Sequence, residues 1–147
     1  MIRYTLVYAT PVHRSLDRNV ILVEKSKPDW QRGRLNLPGG KVEPGETPLQ
    51  CANRELLEET GISACDSKLL GVMKGDGWMI HVAWAGFRGD QIVRQGPDEP
   101  VHELPLRVAL TAPRLIPNLL IVIPLCDAQV AGWTMIEVAA TVWEVRV

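Results

Sequence analysis

The stretch from Thr47 to Gly61 constrains this chain more than any other, because it reads as a helix with both ends marked and acidic residues gathered on one side. Thr47 offers a hydroxyl to cap the first turn, Pro48 suits a position whose N–H has no partner in the helix, and Gln50 completes a capping box. Gly61 stops the helix, since glycine takes the left-handed C-terminal conformation at least cost. Between these ends Glu55, Glu58 and Glu59 stand at i, i+3 and i+4, on one arc about 100° wide. Leu49, Ala52 and Leu56 fall on the adjoining arc and are predicted to face a core. Three like charges on one stripe repel by a few tenths of a kcal/mol per pair (~0.2–0.5). The ordinary explanation is a solvated acidic face, with Arg54 pairing to Glu58. The functional one is a hard divalent cation, Mg2+ or Mn2+, bound through carboxylate oxygens together with water and phosphate.

The surrounding spacing decides between the two. From Gly40, five residues lead to Glu46 and seven more to the run Arg54-Glu55-Leu56-Leu57-Glu58-Glu59-Thr60-Gly61-Ile62. This series resembles, at every fixed position, the box of the Nudix hydrolase family, G-x5-E-x7-R-E-U-x-E-E-x-G-U, where U is a bulky aliphatic residue. The preceding Leu37-Pro38-Gly39-Gly40-Lys41 extends the likeness more loosely. The resemblance implies an α/β fold, an α/β/α sandwich around a mixed sheet, with the box forming a loop–helix–loop metal site. It implies that Glu55, Glu58 and Glu59 coordinate the metal, and that one of these carboxylates, or another from a distant loop, activates the attacking water. Glu46 would lie beside the helix and position water or Arg54, and Arg54 would orient the glutamates through its rigid fork. Gly40 would let backbone approach the metal, with its carbonyl a further ligand. Apart from the resemblance, Lys41 follows the paired glycines Gly39 and Gly40 and is placed to touch phosphate, with a simply solvated lysine as the bland alternative. Diphosphate bridges are strongly anionic, so hydrolysis needs metal to neutralise them and a carboxylate to take the water's proton.

The rest of the chain is consistent with one domain spanning its 147 residues, 46% hydrophobic and 22% charged. A net charge of −1 argues against gripping a nucleic acid polymer or a membrane by bulk electrostatics. Leu119–Cys126, the longest apolar run, carries Pro124 and is too short to span a bilayer. Cys51, Cys65 and Cys126 lack disulfide or metal spacing, and the N-terminus lacks a signal-peptide pattern, which together predict a cytoplasmic protein. Strands are predicted over Ile2–Ala9, with Tyr4 and Tyr8 on one face, and over Val20–Val23, buried on both faces. Leu35–Leu37 reads as a short strand, and Leu69–Lys74 and Trp78–Phe87 as a hairpin turning at Gly75-Asp76-Gly77. Arg88–Pro117 reads as a long loop holding one short strand, a helix follows within Pro113–Gln129, and a strand ends the chain at Trp143–Val147.

Some candidates lie outside the box. Asp98 and Glu99, in Gly-Pro-Asp-Glu-Pro, are placed to supply the distant acid, with Glu103 behind them; an ordinary polar turn is the bland alternative. Trp30 and Trp78 offer stacking surfaces for a base, although packing is the usual employment of tryptophan. His81 reads as structural, His13 and His102 as residues without a partner pattern, and Cys51 as packing. The predicted substrate is a small nucleotide, leaning to a nucleoside triphosphate or modified deoxynucleotide, with ADP-ribose or a nucleotide sugar as alternatives. A Nudix fold used as a binding module without hydrolysis is the reading from another class. A homodimer, with the last strand extending a sheet, is compatible with all of these.

Overall fold

The structure, a computed structural model, describes residues 1–12, 18–91, 93–94, 99–132 and 143–146. The first strand, β1 (Ile2–Pro11), pairs in parallel with β5 (Trp78–Phe87), which pairs antiparallel with β4 (Asp66–Gly75). The final strand, β7 (Trp143–Arg146), adds in parallel to β4, giving the order β1-β5-β4-β7. A second, antiparallel sheet has the order β3-β2-β6, from β2 (Asn19–Glu24), β3 (Leu35–Asn36) and β6 (Val101–Pro105). The strand material is therefore mixed, as expected, but divided between two sheets.

Alternation along the strands builds two apolar layers. Leu6, Tyr8, Val20, Leu22, Val82 and Trp84 pack with Leu119, Val122 and Ile123 of helix α3 (Leu119–Gly132). Val7, Ala9, Ile21, Ala83 and Ala85 pack instead with Ala52 and Leu56 of helix α1 (Pro48–Thr60). Val20–Val23 is buried throughout because β2 has a helix behind each face. The β4–β5 turn is tighter than its three-residue signal suggested: Gly75 belongs to β4, and Asp76-Gly77 alone turns the chain.

Two expectations are corrected. The segment Arg88–Pro117 holds not only β6 but also a short helix, α2 (Leu106–Thr111), beginning directly after Pro105. Six residues give too little periodicity to separate a helix from a strand. Helix α3 runs through Pro124 to Gly132, beyond the predicted limit at Gln129. Pro124 costs that helix a hydrogen bond, but burial of Leu119, Val122, Ile123 and Cys126 on either side of it holds the helix together.

The residues before α1 are positioned by β1. Val7 N donates to Pro38 O (2.8 Å), Thr5 N to Gly40 O (2.8 Å), and Val42 N to Arg3 O (2.9 Å). This lays the Gly39-Gly40 backbone along the sheet's free edge, directly against α1.

Candidate active site

Helix α1 begins and ends as its sequence dictates. Thr47 and Gln50 form the reciprocal capping box, and Gly61 takes φ 73° with its N–H on Leu57 O. With both ends fixed and Leu56 buried, Glu55, Glu58 and Glu59 turn towards a cleft, which Gly39, Gly40, Lys41 and Glu99 also line. At Gly39 backbone leaves no room for a side chain, whereas at Gly40 a side chain would push Glu55 aside. A Cβ on Gly40 would lie 2.3 Å from Glu55 Oε1, and one on Gly39 would lie 2.0 Å from the Thr5 carbonyl oxygen.

Two basic side chains divide the carboxylates between them. Arg54 reaches Glu46 through Nε (2.8 Å) and Nη2 (3.1 Å), Glu55 through Nη1 (2.7 Å), and Glu58 more weakly (3.3 Å). Its guanidinium also donates to Lys41 O (3.3 Å), joining the glycine-rich turn to the helix. The Arg54 bonds, aided by the Glu43 N–H, lower the Glu46 carboxyl to about 2. Glu46 and then Glu55 raise Arg54, which is cationic throughout. Arg54 thus links Glu46, Glu55 and the Lys41 carbonyl, and among its carboxylate partners Glu58 is the most distant.

The second cation is Lys25, which the sequence did not single out. Its Nζ donates to Glu59 Oε1 (3.2 Å) and Glu99 Oε2 (2.8 Å). Glu59 Oε2 accepts from Gly39 N (2.9 Å), and Glu99 Oε1 from Ser26 N (2.8 Å) and Ser26 Oγ (3.1 Å). Burial pushes the Glu59 carboxyl up, more than Lys25 and the Gly39 N–H pull it down. Burial acts the same way on Glu99, but there Lys25 and Ser26 prevail and hold it below the usual range. Burial opposes the Lys25 ammonium, yet the two carboxylates outweigh it and raise its pKa.

Among the described residues no three acidic, histidine or cysteine side chains are already drawn together as a metal-ligand cluster. Each of the cleft carboxylates is engaged instead by Arg54 or Lys25. The donor set nevertheless suits a hard divalent ion, since it offers carboxylate oxygens and, at Gly40, backbone pressed against Glu55. The Gly40 carbonyl accepts from Thr5 N (2.8 Å) and, at long range, from Cys51 Sγ (3.9 Å).

The remaining candidates separate clearly. Glu99 lines the cleft, whereas Glu103 does not and instead accepts from Asn19 Nδ2 (3.3 Å) at the surface. Asp98 and His13 lie outside the described residues. Trp78 lines the cleft while packing on the core, but Trp30 departs from the packing expectation, standing 63% exposed at the cleft. Cys51 is buried behind the glutamates with Sγ 3.3 Å from Thr5 Oγ1, and burial raises its thiol. Burial, then the Arg3 charge, lowers the His81 imidazole, and neither ring nitrogen has a partner among the described residues. His102 is corrected: it has a partner, Glu24, at 3.1 Å, away from the cleft.

Asn118 was also missed. It lines the cleft just before α3, and its side-chain oxygen is buried without a hydrogen-bond partner among the described residues. In sequence it looks like a helix cap after Pro117, so nothing there points to the cleft. Lys25 leaves only the faint signal of a cation directly after a buried strand.

The NUDIX domain family model matches residues 5–119. The chain belongs to the NUDIX family. Among relatives of this NUDIX chain, an 8-oxo-dGTP diphosphatase of Escherichia coli (strain K12) is 36% identical over 58 residues, covering 40% of this chain and 45% of the relative. Nudix hydrolase 3 of Caenorhabditis elegans is 36% identical over 72 residues, covering 49% and 28%. The matches thus span less than two thirds of these relatives' lengths. The NUDIX domain of Shewanella oneidensis NrtR, solved with ADP ribose, superposes with TM-score 0.75 at 19% identity, covering 88% of each chain. At that identity the likeness establishes the fold, and the mixed α/β NUDIX architecture is the one described above.

Proposed function

We propose that this NUDIX chain is a divalent-metal-dependent hydrolase cleaving a phosphoanhydride bond in a nucleoside diphosphate-linked compound, with nucleoside triphosphates or modified deoxynucleotides as the leading substrates. One observation carries the reading: Glu55, Glu58, Glu59 and Glu99 line the same cleft as Lys27, Lys41 and the rings of Tyr4, Trp30 and Trp78. Oxygens for a cation, ammonium groups for phosphate and aromatic faces for a base meet in one place. Glu55, Glu58, Glu59 and the Gly40 carbonyl would hold Mg2+ or Mn2+. Once bound, that ion neutralises the phosphates and makes water acidic enough to lose a proton near neutral pH.

The chain's own residues do the rest. Lys41 and Lys27 bind phosphate oxygens, and Arg54 fixes Glu55 and the Gly39–Lys41 turn in mutual register. A cleft carboxylate takes the water's proton, with Glu55, Glu58 and Glu99 as the candidates. Water oxygen bonds to phosphorus as the bridging P–O bond breaks, and the bridging oxygen departs with the second phosphate-containing product. Asn118 lines the same cleft, where its side-chain amide suits the polar edge of a base. The name of the E. coli relative supports a modified deoxynucleotide.

ADP-ribose or a nucleotide sugar is the second reading, favoured by the NrtR domain solved with ADP ribose; the same likeness keeps a non-hydrolytic binding module in view. The described helices include none long and apolar enough to cross a membrane. Three free cysteines support a reducing, cytoplasmic setting, and β7, at the edge of the described sheet, is where a homodimer would extend it. The test is product release from a panel of these compounds, with Mg2+, with Mn2+ and with chelator. Metal-dependent turnover of one class establishes the reading and names the substrate. Tight binding without turnover by any compound favours the module.

A further inference from the structure

We propose that Lys25 is an internal counter-cation of the metal site, holding Glu59 and Glu99 together before metal arrives and competing with the ion for their charge. The inference rests on the metal-site reading above and concerns a residue outside the box. Lys25 Nζ lies between two carboxylates from separate parts of the chain, one on α1 and one just before β6. All three side chains are largely shielded, with 14%, 17% and 13% of their surfaces exposed. Two shielded carboxylates drawn to one point need a positive charge between them, and the ammonium supplies it.

The backbone around the triad is equally committed. Glu59 is tied to Gly39 N, and Glu99 to Ser26, the residue after Lys25. Lys25 itself is anchored by its own backbone, with N on Arg34 O (2.9 Å) and O accepting from Gly33 N (2.8 Å). The backbone at Lys25, the residue after β2, is thus fixed, and the two ion pairs hold its ammonium against Glu59 and Glu99. A divalent ion entering beside Glu59 meets a unit positive charge a few ångströms away. At such range like charges in a partly shielded site repel by far more than thermal energy. Lys25 therefore weakens metal binding while it stabilises the metal-free fold and brings Glu99 to the site.

Removal of the charge at nearly constant volume separates these two effects. In Lys25→Met, Mn2+ titrated by electron paramagnetic resonance in the absence of nucleotide binds on the order of tenfold tighter, and the metal-free protein melts at lower temperature. Lys25→Arg, which keeps the charge, retains wild-type Mn2+ affinity and guards against a folding defect in the Met variant. Mn2+ affinity unchanged or weakened in folded Lys25→Met overturns the counter-cation role, even if the wild type binds Mn2+ well. Affinity in Lys25→Arg rising as it does in Lys25→Met overturns it too, because charge is then not the cause. Failure of the wild type to bind Mn2+ overturns the metal-site reading itself, and this inference with it.

Discussion

Glu58 is the acidic side chain on α1 with the least structural employment: it is 59% exposed and touches Arg54 only at 3.3 Å. A carboxylate so placed adds little to stability, because exposed i,i+4 pairs contribute about 0.3–0.5 kcal/mol. If its role is to hold metal, Glu58→Gln lowers kcat by two orders of magnitude or more (~100-fold) while the melting temperature moves by a degree or so. Gly40→Ala acts through geometry instead. Its methyl group would displace Glu55, so Mn2+ binding weakens although α1 keeps its helical signal, measurable by metal titration alongside circular dichroism. Glu46 makes one acid-sensitive contribution, beside Glu24, Glu99 and Glu144, whose carboxyls are also held below the usual range. Its folded pKa of about 2 lies below the ordinary 4.5, so the Glu46–Arg54 link stabilises the fold above 4.5 and is lost as pH falls from there towards 2. Glu46→Gln therefore flattens the acid-unfolding curve in that window, and an unchanged curve contradicts the assignment. These residues were legible in the sequence because they belong to a local pattern of fixed spacing. Lys25 and Asn118 were not, since their roles depend on β2 and the start of α3 converging on the cleft from distant positions.

Among the elements, α1 and the β4–β5 hairpin follow from local rules. The capping box, the terminal glycine and the Asp76-Gly77 turn each satisfy backbone requirements within a few residues. Helix α2 and the full extent of α3 do not. The first is too short to show a period, and the second continues across Pro124 because tertiary burial outweighs one lost hydrogen bond. Helix α3 is fastened by Asp127, which accepts from Tyr8 OH (3.2 Å) and from Arg18 Nη1 (2.5 Å), tying the helix to β1 and the approach to β2. Asp127→Ala removes both ties and is expected to cost about 1–3 kcal/mol, read as a lower denaturation midpoint. Because Asn118 stands at the head of α3, the same variant raises KM for nucleotide more than it lowers kcat. Equal stability in the variant would mean that α3 is held by its apolar face alone.

At the scale of the whole molecule, two sheets and two long helices enclose a cleft that receives its acids from α1 and from Glu99, two residues before β6, its cations from the segment following β2 and the glycine-rich turn, and an amide from the head of α3. The mixed α/β class could be anticipated from the order of strand and helix signals. The split into two sheets could not, because strand pairing between distant segments leaves no local mark. The fold accommodates hydrolysis and simple nucleotide binding alike, so the decisive property is chemical. The measurement that tests the central claim most directly is turnover of 8-oxo-dGTP and ADP-ribose by wild type and Glu58→Gln, each with Mg2+ and with chelator. The account predicts Mg2+-dependent phosphoanhydride cleavage of at least one compound by the wild type, abolished by chelator and by the substitution in a protein that remains folded. Cleavage that persists in Glu58→Gln, or in chelator, would contradict a metal-dependent reaction run from the α1 glutamates.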